Sequence, residues 1–427
     1  MTLRFIDLFA GIGGMRLDFE QACKYLGIRS SCVFTSEIKP AAVKVLQQNH
    51  PEETISGDIT KVDAKDIPPF DFLLAGFPCQ PFSTAGKRLG FEDTRGTMFF
   101  EVARILKERQ PQGFLLENVD GLVRHNREKR GDAIGQTFCV ILATLEELGY
   151  FVSWRVLNAK DFGLPQDRKR VYIAGTRKNV PIFSQFSTQN ATLSSILEHG
   201  KPLSHTPFVQ KLLQHFPVQE LAGKSVKDKR GGEDNIHSWD LELKGELTDE
   251  QKHLMNAILH ERRKKKWAVE YGIQWMDGMP LTESMIHSFF DALLLSELLD
   301  DLVSKGYLTK ERPKTLVNGK RVPDASAPDG YNIVAGKLSF EVGKILDPDG
   351  IAPTLVAMDM GHLYVIDGDG IRPLTLREGL RLFGYPDDFR FDVSLREGRN
   401  LLGNTVAVPV VRAAAIRVIQ AMLQDNE

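Results

Sequence analysis

A chain of 427 residues with 42% apolar and 26% charged side chains has apolar content for one large core or two to three ordinary ones. That excludes a small scaffold stapled by disulfides or metal, and the balance is that of a globular chain, not a disordered one. The formal net charge of −2 excludes a partner held by bulk positive charge. No run approaches the roughly 18 consecutive apolar residues of a spanning helix, and the opening Met1-Thr2-Leu3-Arg4-Phe5 lacks a secretory pattern, so a cytoplasmic protein is expected. Cys23, Cys32, Cys79 and Cys139 form no C-x-x-C pair, which points to reduced thiols and away from a disulfide framework or a zinc site.

Short apolar runs alternate with amphipathic segments through residue 175, the rhythm of an α/β, doubly wound, mostly parallel sheet. Strands are predicted at Phe5–Phe9, Cys32–Ser36, Phe72–Ala75, Gly113–Leu116, Phe151–Leu157 and Arg170–Gly175. The intervening helices are predicted at Met15–Leu26, Ala41–Asn49, Met98–Glu108 and Ile134–Leu148. After Pro181 the rhythm stops, and helical patterns at Thr248–Ile258 and Glu283–Lys305 mark a second, smaller mixed domain. A last helix, Val408–Gln424, is expected to pack back on the first domain.

Four segments carry chemistry. Phe5–Phe9 runs into Ala10-Gly11-Ile12-Gly13-Gly14, a glycine turn that lets backbone approach a ligand without completing the dinucleotide pattern G-x-G-x-x-G. Glu37 and Asp58 close the next two units, so successive strand ends offer a glycine turn and two carboxylates. That set suits an adenosine, and no Walker lysine is present for a triphosphate. Phe77-Pro78-Cys79-Gln80-Pro81 then holds a cysteine between prolines at a strand's carboxyl end, a stiff presentation towards the crevice where α/β sheets place their active sites. Glu117 ends the following strand, and Arg168 and Arg170 enter a later one at alternate positions, hence on one side.

Together with Gly403-Asn404-Thr405-Val406, these segments in this order resemble the DNA (cytosine-5)-methyltransferases of bacterial restriction-modification systems. The resemblance covers about residues 1–177 and 350–427. It implies a methyltransferase of Rossmann-like fold that moves a methyl group from S-adenosyl-L-methionine to carbon 5 of a flipped-out cytosine in a short double-stranded DNA site. Cys79 is the implied nucleophile, Glu117 the group on ring nitrogen 3, and Arg170 the ligand of the base carbonyl. Arg168 is implied to neutralise the site and favour the thiolate. Implied cofactor contacts are Phe9, Gly11, Gly13, Glu37, Asp58, Ile59, Met98 and Asn404. Phe77, Pro78, Gln80, Ser83, Arg95 and Thr354 are implied at the base or the DNA, and no metal is required.

By the same resemblance, residues 1–180 and 398–427 form the catalytic domain, 181–372 the target-recognition domain, and 373–397 a hinge. The insert balances its basic and acidic residues but groups the basic ones, at Lys224, Lys227, Lys229 and Arg230 and at Arg262–Lys266. Phe289–Lys305 and extended segments around Thr315–Val322 and Tyr331–Val342 are reminiscent of a winged helix. A monomer with a positive cleft on a nearly neutral surface is expected. Two alternatives stay open: a tRNA cytosine-5 methyltransferase, and a catalytically silent DNA-binding homologue.

Overall fold

The computed structural model describes residues 2–78, 98–129, 131–184, 186–228, 232, 234–317, 320–334, 340–357 and 359–424. The chain forms two compact units, Met1–Glu198 with Pro348–Met360 and Leu374–Glu427, and His199–Asp347 with Gly361–Pro373.

In the first unit the chain runs β1 (Thr2–Leu8), α1 (Gly14–Tyr25), β2 (Arg29–Ser36), α2 (Pro40–Asn49), β3 (Ile55–Ser56), β4 (Phe72–Gly76), α3 (Met98–Arg109), β5 (Gly113–Val119), α4 (Gln136–Glu147), β6 (Phe151–Asn158) and β7 (Lys169–Thr176). These strands make one sheet in the order β3-β2-β1-β4-β5-β7-β6. The first five are parallel, whereas β7 runs antiparallel to both β5 and β6. Side-chain alternation divides the core. Phe5, Phe72, Leu74 and Leu115 face one layer with Phe19 of α1, and Ile6, Leu8, Leu73 and Leu116 face the other with Phe99, Val102, Phe138 and Ile141.

Among its described residues the second unit holds two cores. One joins α5 (Pro207–His215) to a five-stranded sheet that includes β8 (Ser225–Val226) and β9 (Asn235–Ile236). The other gathers α6 (Asp249–Glu261), α7 (Lys266–Glu270), α8 (Glu283–His287), α9 (Leu295–Ser304), β10 (Leu308–Glu311) and β13 (Gly330–Ile333) around Leu254, Leu299 and Leu302. Between β10 and β13 the chain makes an antiparallel ribbon of β11 (Lys314–Val317) and β12 (Lys320–Pro323). The first sheet is completed by β14 (Lys344–Ile345), β15 (Leu363–Asp367) and β16 (Gly370–Pro373). The continuous helix expected at Glu283–Lys305 is two helices. The first is capped by the Thr282 hydroxyl on the Met285 amide and the chain opens after Ser288, because Phe289 and Phe290 turn towards the core while Leu293 and Leu294 are left in solvent.

The chain then re-enters the first unit as α10 (Leu376–Leu382), α11 (Leu395–Gly403) and α12 (Val408–Leu423). Leu395–Leu423 is apolar and long enough to cross a membrane by length and composition, but α11 and α12 are separate, and α12 buries Val411, Ala415 and Ile419 beside Phe5, Phe19 and Tyr172. Residues 181–198 and 348–360 also belong here. The Phe183 carbonyl accepts from Arg155 at 2.5 Å, and the Leu193 and Ser194 amides donate to the carbonyls of Gly350 and Pro348 at 3.0 and 2.8 Å. Thr375, at the head of the segment read as a hinge, donates to Glu198 at 2.6 Å. These bonds place the edge of the unit at Glu198 instead of 180.

Candidate active site

The glycine turn after β1 owes its shape to three left-handed residues, Phe9, Gly11 and Gly13, at φ 55°, 57° and 85°. Phe9 holds a conformation a side chain rarely adopts, as strained residues at functional sites do. Gly11 needs its freedom for φ alone, since a Cβ there would meet nothing within 4 Å. Gly14 needs space: a Cβ would sit 2.4 Å from the Tyr385 hydroxyl and 2.8 Å from Val406. Missing side chains at the start of α1 thus let the C-terminal segment close on the turn.

A cavity of about 620 Å³ lies at the carboxyl ends of the parallel strands, within the first unit. At one end stand Phe9, Gly11, Glu37, Asp58, Ile59, Met98 and Asn404. Glu37 is buried, with Oε2 accepting from the Gly11 amide at 2.7 Å and Oε1 from the amides of Ile38 and Lys39 at 2.9 and 2.8 Å. An ionised carboxylate has about four acceptor positions, so one remains for a ligand hydroxyl. Asp58 spends Oδ1 on the Thr60 amide and hydroxyl, which hold its carboxyl below the usual range.

At the other end the wall is formed by Gly76, Phe77, Pro78, Glu117, Asn118, Arg168 and Arg170. Glu117 on β5 and Arg170 on antiparallel β7 meet through Oε1 and Nε at 3.2 Å. Burial raises the Glu117 carboxyl above its ordinary value, and Arg170 and then Arg168 oppose that shift. Arg168 is 3% exposed and works as a strap: Nη1 donates to the Leu355 carbonyl at 2.9 Å, Nη2 to the Thr405 carbonyl at 2.7 Å, and the guanidinium lies 4.9 Å from the centre of the Phe383 ring. Burial, then Arg170, pulls its pKa down to about 10.

Cys79, Gln80, Ser83 and Arg95 lie outside the described residues, as does all of 79–97. The residues on either side, Pro78 and Met98, both line the cavity. Asn118, whose amide donates to the Phe77 carbonyl at 2.8 Å, fastens the approach to Cys79. The sequence pattern gives Asn118 no mark of that task. Two expected residues are not on the cavity wall. Gly13 caps α1, with a would-be Cβ 3.1 Å from Leu46, and the Thr354 hydroxyl donates to the Asp167 carbonyl at 2.5 Å.

One buried acid lies beneath the turn. Asp7 on β1 is 0% exposed, neither of its oxygens has a partner among the described residues, and burial pushes its carboxyl up to about 8 against the pull of Arg16. Nearby, Tyr385 and Thr405 share a hydroxyl hydrogen bond at 2.6 Å.

The family model for C-5 cytosine-specific DNA methylases matches residues 3–420. The type II methyltransferase M.NlaIV of Neisseria lactamica is 60% identical over 420 residues, covering 98% of this chain and 99% of that one. M.BanI of Aneurinibacillus aneurinilyticus is 39% identical over 452 residues, covering 100% and 97%. Among solved structures, a DNMT2 mutant from Spodoptera frugiperda superposes with a TM-score of 0.51 at 15% identity, covering 99% of this chain and 100% of that one. At that identity the likeness concerns fold alone.

Proposed function

The chain belongs to the C-5 cytosine-specific DNA methylases, and from that premise we propose how its own residues carry the reaction. It is a sequence-specific DNA (cytosine-5)-methyltransferase acting on double-stranded DNA, in a family that depends on S-adenosyl-L-methionine.

The cavity fits that cofactor through the chemistry of its donor set. Glu37 retains acceptor capacity for ribose hydroxyls, Asp58 Oδ2 is open for an amine, and Phe9, Ile59 and Met98 offer apolar surface to a purine. Gly11 and Gly13 shape the turn at the methionine end, and Asn404 completes the wall. When bound, the cofactor supplies an electrophilic methyl group on a sulfonium.

The remaining chemistry belongs to side chains. Carbon 5 of cytosine is a weak nucleophile until a thiolate adds to carbon 6, and Cys79 is that thiolate. Glu117 in its protonated form donates to ring nitrogen 3 as the thiolate adds, so the ring accepts the electron pair. A carboxyl raised by burial suits the task. Arg170 holds the base carbonyl with the donors that Glu117 leaves, and Arg168 adds positive charge while fixing the wall. Once carbon 5 has taken the methyl group, loss of its proton to water, expulsion of Cys79 as thiolate and return of the nitrogen 3 proton to Glu117 restore the aromatic ring. The base must leave the duplex to reach this cavity. Phe77 and Pro78 border its place, with Gln80, Ser83, Arg95 and Thr354 serving the base or the strand around it.

Within residues 181–372 we further assign sequence reading to the stretches of the second unit, 199–347 and 361–372, and place the protein in the cytoplasm as a monomer. Its role there is to protect DNA from a cognate endonuclease, as the type II designation of its relatives suggests. The pairing of Glu117 with Arg170 on the wall that also carries Glu37 and both flanks of 79–97 is the observation that carries the reading. Its test is transfer of labelled methyl from cofactor to duplex DNA. Wild type should incorporate label and be trapped covalently by DNA containing 5-fluorocytosine. Undiminished transfer by Cys79→Ala would overturn the mechanism.

A further inference from the structure

The second unit holds two basic surfaces that differ in what they have left to offer. In the run 262–266, Arg262 is buried on Asn332 at 2.5 Å, Arg263 pairs with Asp277 at 2.9 Å, and Lys264 and Lys266 both reach Glu261. Four of its five cations are therefore committed inside the unit. The β11–β12 ribbon is the opposite case. Lys314, Lys320 and Arg321 face no carboxylate among the described residues, and Arg321 gives one donor to the Trp275 carbonyl at 3.3 Å. Leu316 and Val317 are 49% and 48% exposed, on a ribbon six of whose eight described strand residues are exposed. Trp275 also lines a shallow groove of about 510 Å³ with His260, Arg263 and Lys264, so the ribbon, through Arg321 near its turn, adjoins that groove.

The order α6, the Leu281 bridge to Tyr331, α8, α9, β10, ribbon, β13 is that in which a winged helix is strung, with α9 in the place of the groove-reading helix. Yet α9 (Leu-Ser-Glu-Leu-Leu-Asp-Asp-Leu-Val-Ser) contains no cation. Its Asp300 takes up Lys310 at 2.9 Å, its Asp301 takes up Lys305 at 2.7 Å, and Glu297 remains exposed. Against a phosphate-lined groove such a helix is repelled, whereas a two-stranded β-ribbon fits the major groove as well as a helix does.

We propose that the β11–β12 ribbon, not α9, is the element of this unit that lies against duplex DNA, with Lys314, Lys320 and Arg321 on phosphates and Leu316, on the face it shares with Lys314 and Arg321, in apolar contact within the groove. The proposal deepens the DNA-methyltransferase reading and rests on it.

The test uses the full chain, a random-sequence 30-base-pair duplex for binding and unmethylated bacterial genomic fragments for turnover. The variant Lys314→Ala/Lys320→Ala/Arg321→Ala should bind about tenfold more weakly at low salt, and its salt slope should fall by about 1 per lost contact. The Michaelis constant for genomic DNA should rise in step while kcat at saturating DNA is kept. The charge-preserving pair Lys320→Arg/Arg321→Lys should restore most of the binding. Glu297→Gln should leave binding equal or slightly stronger. Wild-type affinity and salt slope in the triple variant would overturn the proposal, as would weakened binding in Glu297→Gln. If the triple variant does not fold, Lys320→Ala alone at its exposed position must lower the slope by about 1. Absence of methyl transfer by wild type would sink the activity while the binding arm still decides the ribbon.

Discussion

The two units handle charge in opposite ways. The catalytic unit takes ionisable groups out of water. Glu117 and Arg168 are 8% and 3% exposed on the cavity wall, and Asp7 beneath it has no hydrogen-bond partner among the described residues. Apart from buried Arg262 and the buried Arg372–Asp367 pair, the second unit keeps charges wet and pairs them with near neighbours, as with Arg263 and Asp277 or Lys310 and Asp300. Burial changes protonation and strengthens electrostatic interaction, which chemistry needs. Exposed pairing does neither, and leaves an attractive surface only where cations outnumber acids. Removing one charge should therefore have large effects at the buried groups of the first unit and small ones at the exposed pairs of the second.

The largest effect is expected at Glu117. Glu117→Gln keeps a hydrogen-bonding amide but loses the proton donor, and kcat should fall by about 10²–10⁴-fold with little change in cofactor affinity. Single-turnover methylation at saturating DNA measures it, and a fall below threefold would contradict the assigned role. Next comes Arg168→Met, which strands two buried carbonyls, those of Leu355 and Thr405. It should cost about 3 kcal/mol in chemical denaturation, since each unmade buried bond costs about 1–3 kcal/mol. Glu37→Ala removes the acceptor of three amides and should weaken S-adenosyl-L-methionine binding about tenfold in calorimetry, the scale of one charge-assisted hydrogen bond.

Asp7 gives the comparison a pH axis. Its carboxyl titrates near 8 when folded and near 3.8 when unfolded, so between those values the native state binds more protons. Stability from this group is then lost as pH rises through that window. Asp7→Asn should flatten the decline of the melting temperature between pH 5 and 8, and an unchanged profile would show the carboxyl to be ionised. The smallest effect belongs to Lys264→Ala, whose charge already sits on Glu261. Stability should change by less than about 1 kcal/mol and the Michaelis constant for DNA by less than twofold. A large loss there would break the contrast between the units.

Much of this was legible in the residues. Apolar runs located the sheet strands at Phe5, Cys32, Phe72, Gly113, Phe151 and Arg170, and Phe9 and Gly11 of the glycine turn, Glu37, Glu117 and Arg170 come together on one cavity. The reversal of β7 was not legible, because an apolar run has the same pattern in either direction. Nor was the break between α8 and α9, where the apolar residues continue while the chain turns. The strap at Arg168 was hidden for another reason: its acceptors are backbone carbonyls 187 and 237 residues away, and a carbonyl has no signature in sequence. Asn118 had a visible neighbour in Glu117, but its partner is again a carbonyl, that of Phe77.

The return of α12 to the sheet sets a timetable for making the protein. Its Val411, Ala415 and Ile419 cover the layer containing Phe5, Phe19 and Tyr172, and they leave the ribosome more than two hundred residues after β7. At about 5–20 residues per second, the half-built sheet waits roughly 10–50 s with that apolar layer uncovered. Chaperone demand should peak during this interval, and a nascent chain halted before α12 should be a substrate for proteolysis rather than an early methylase.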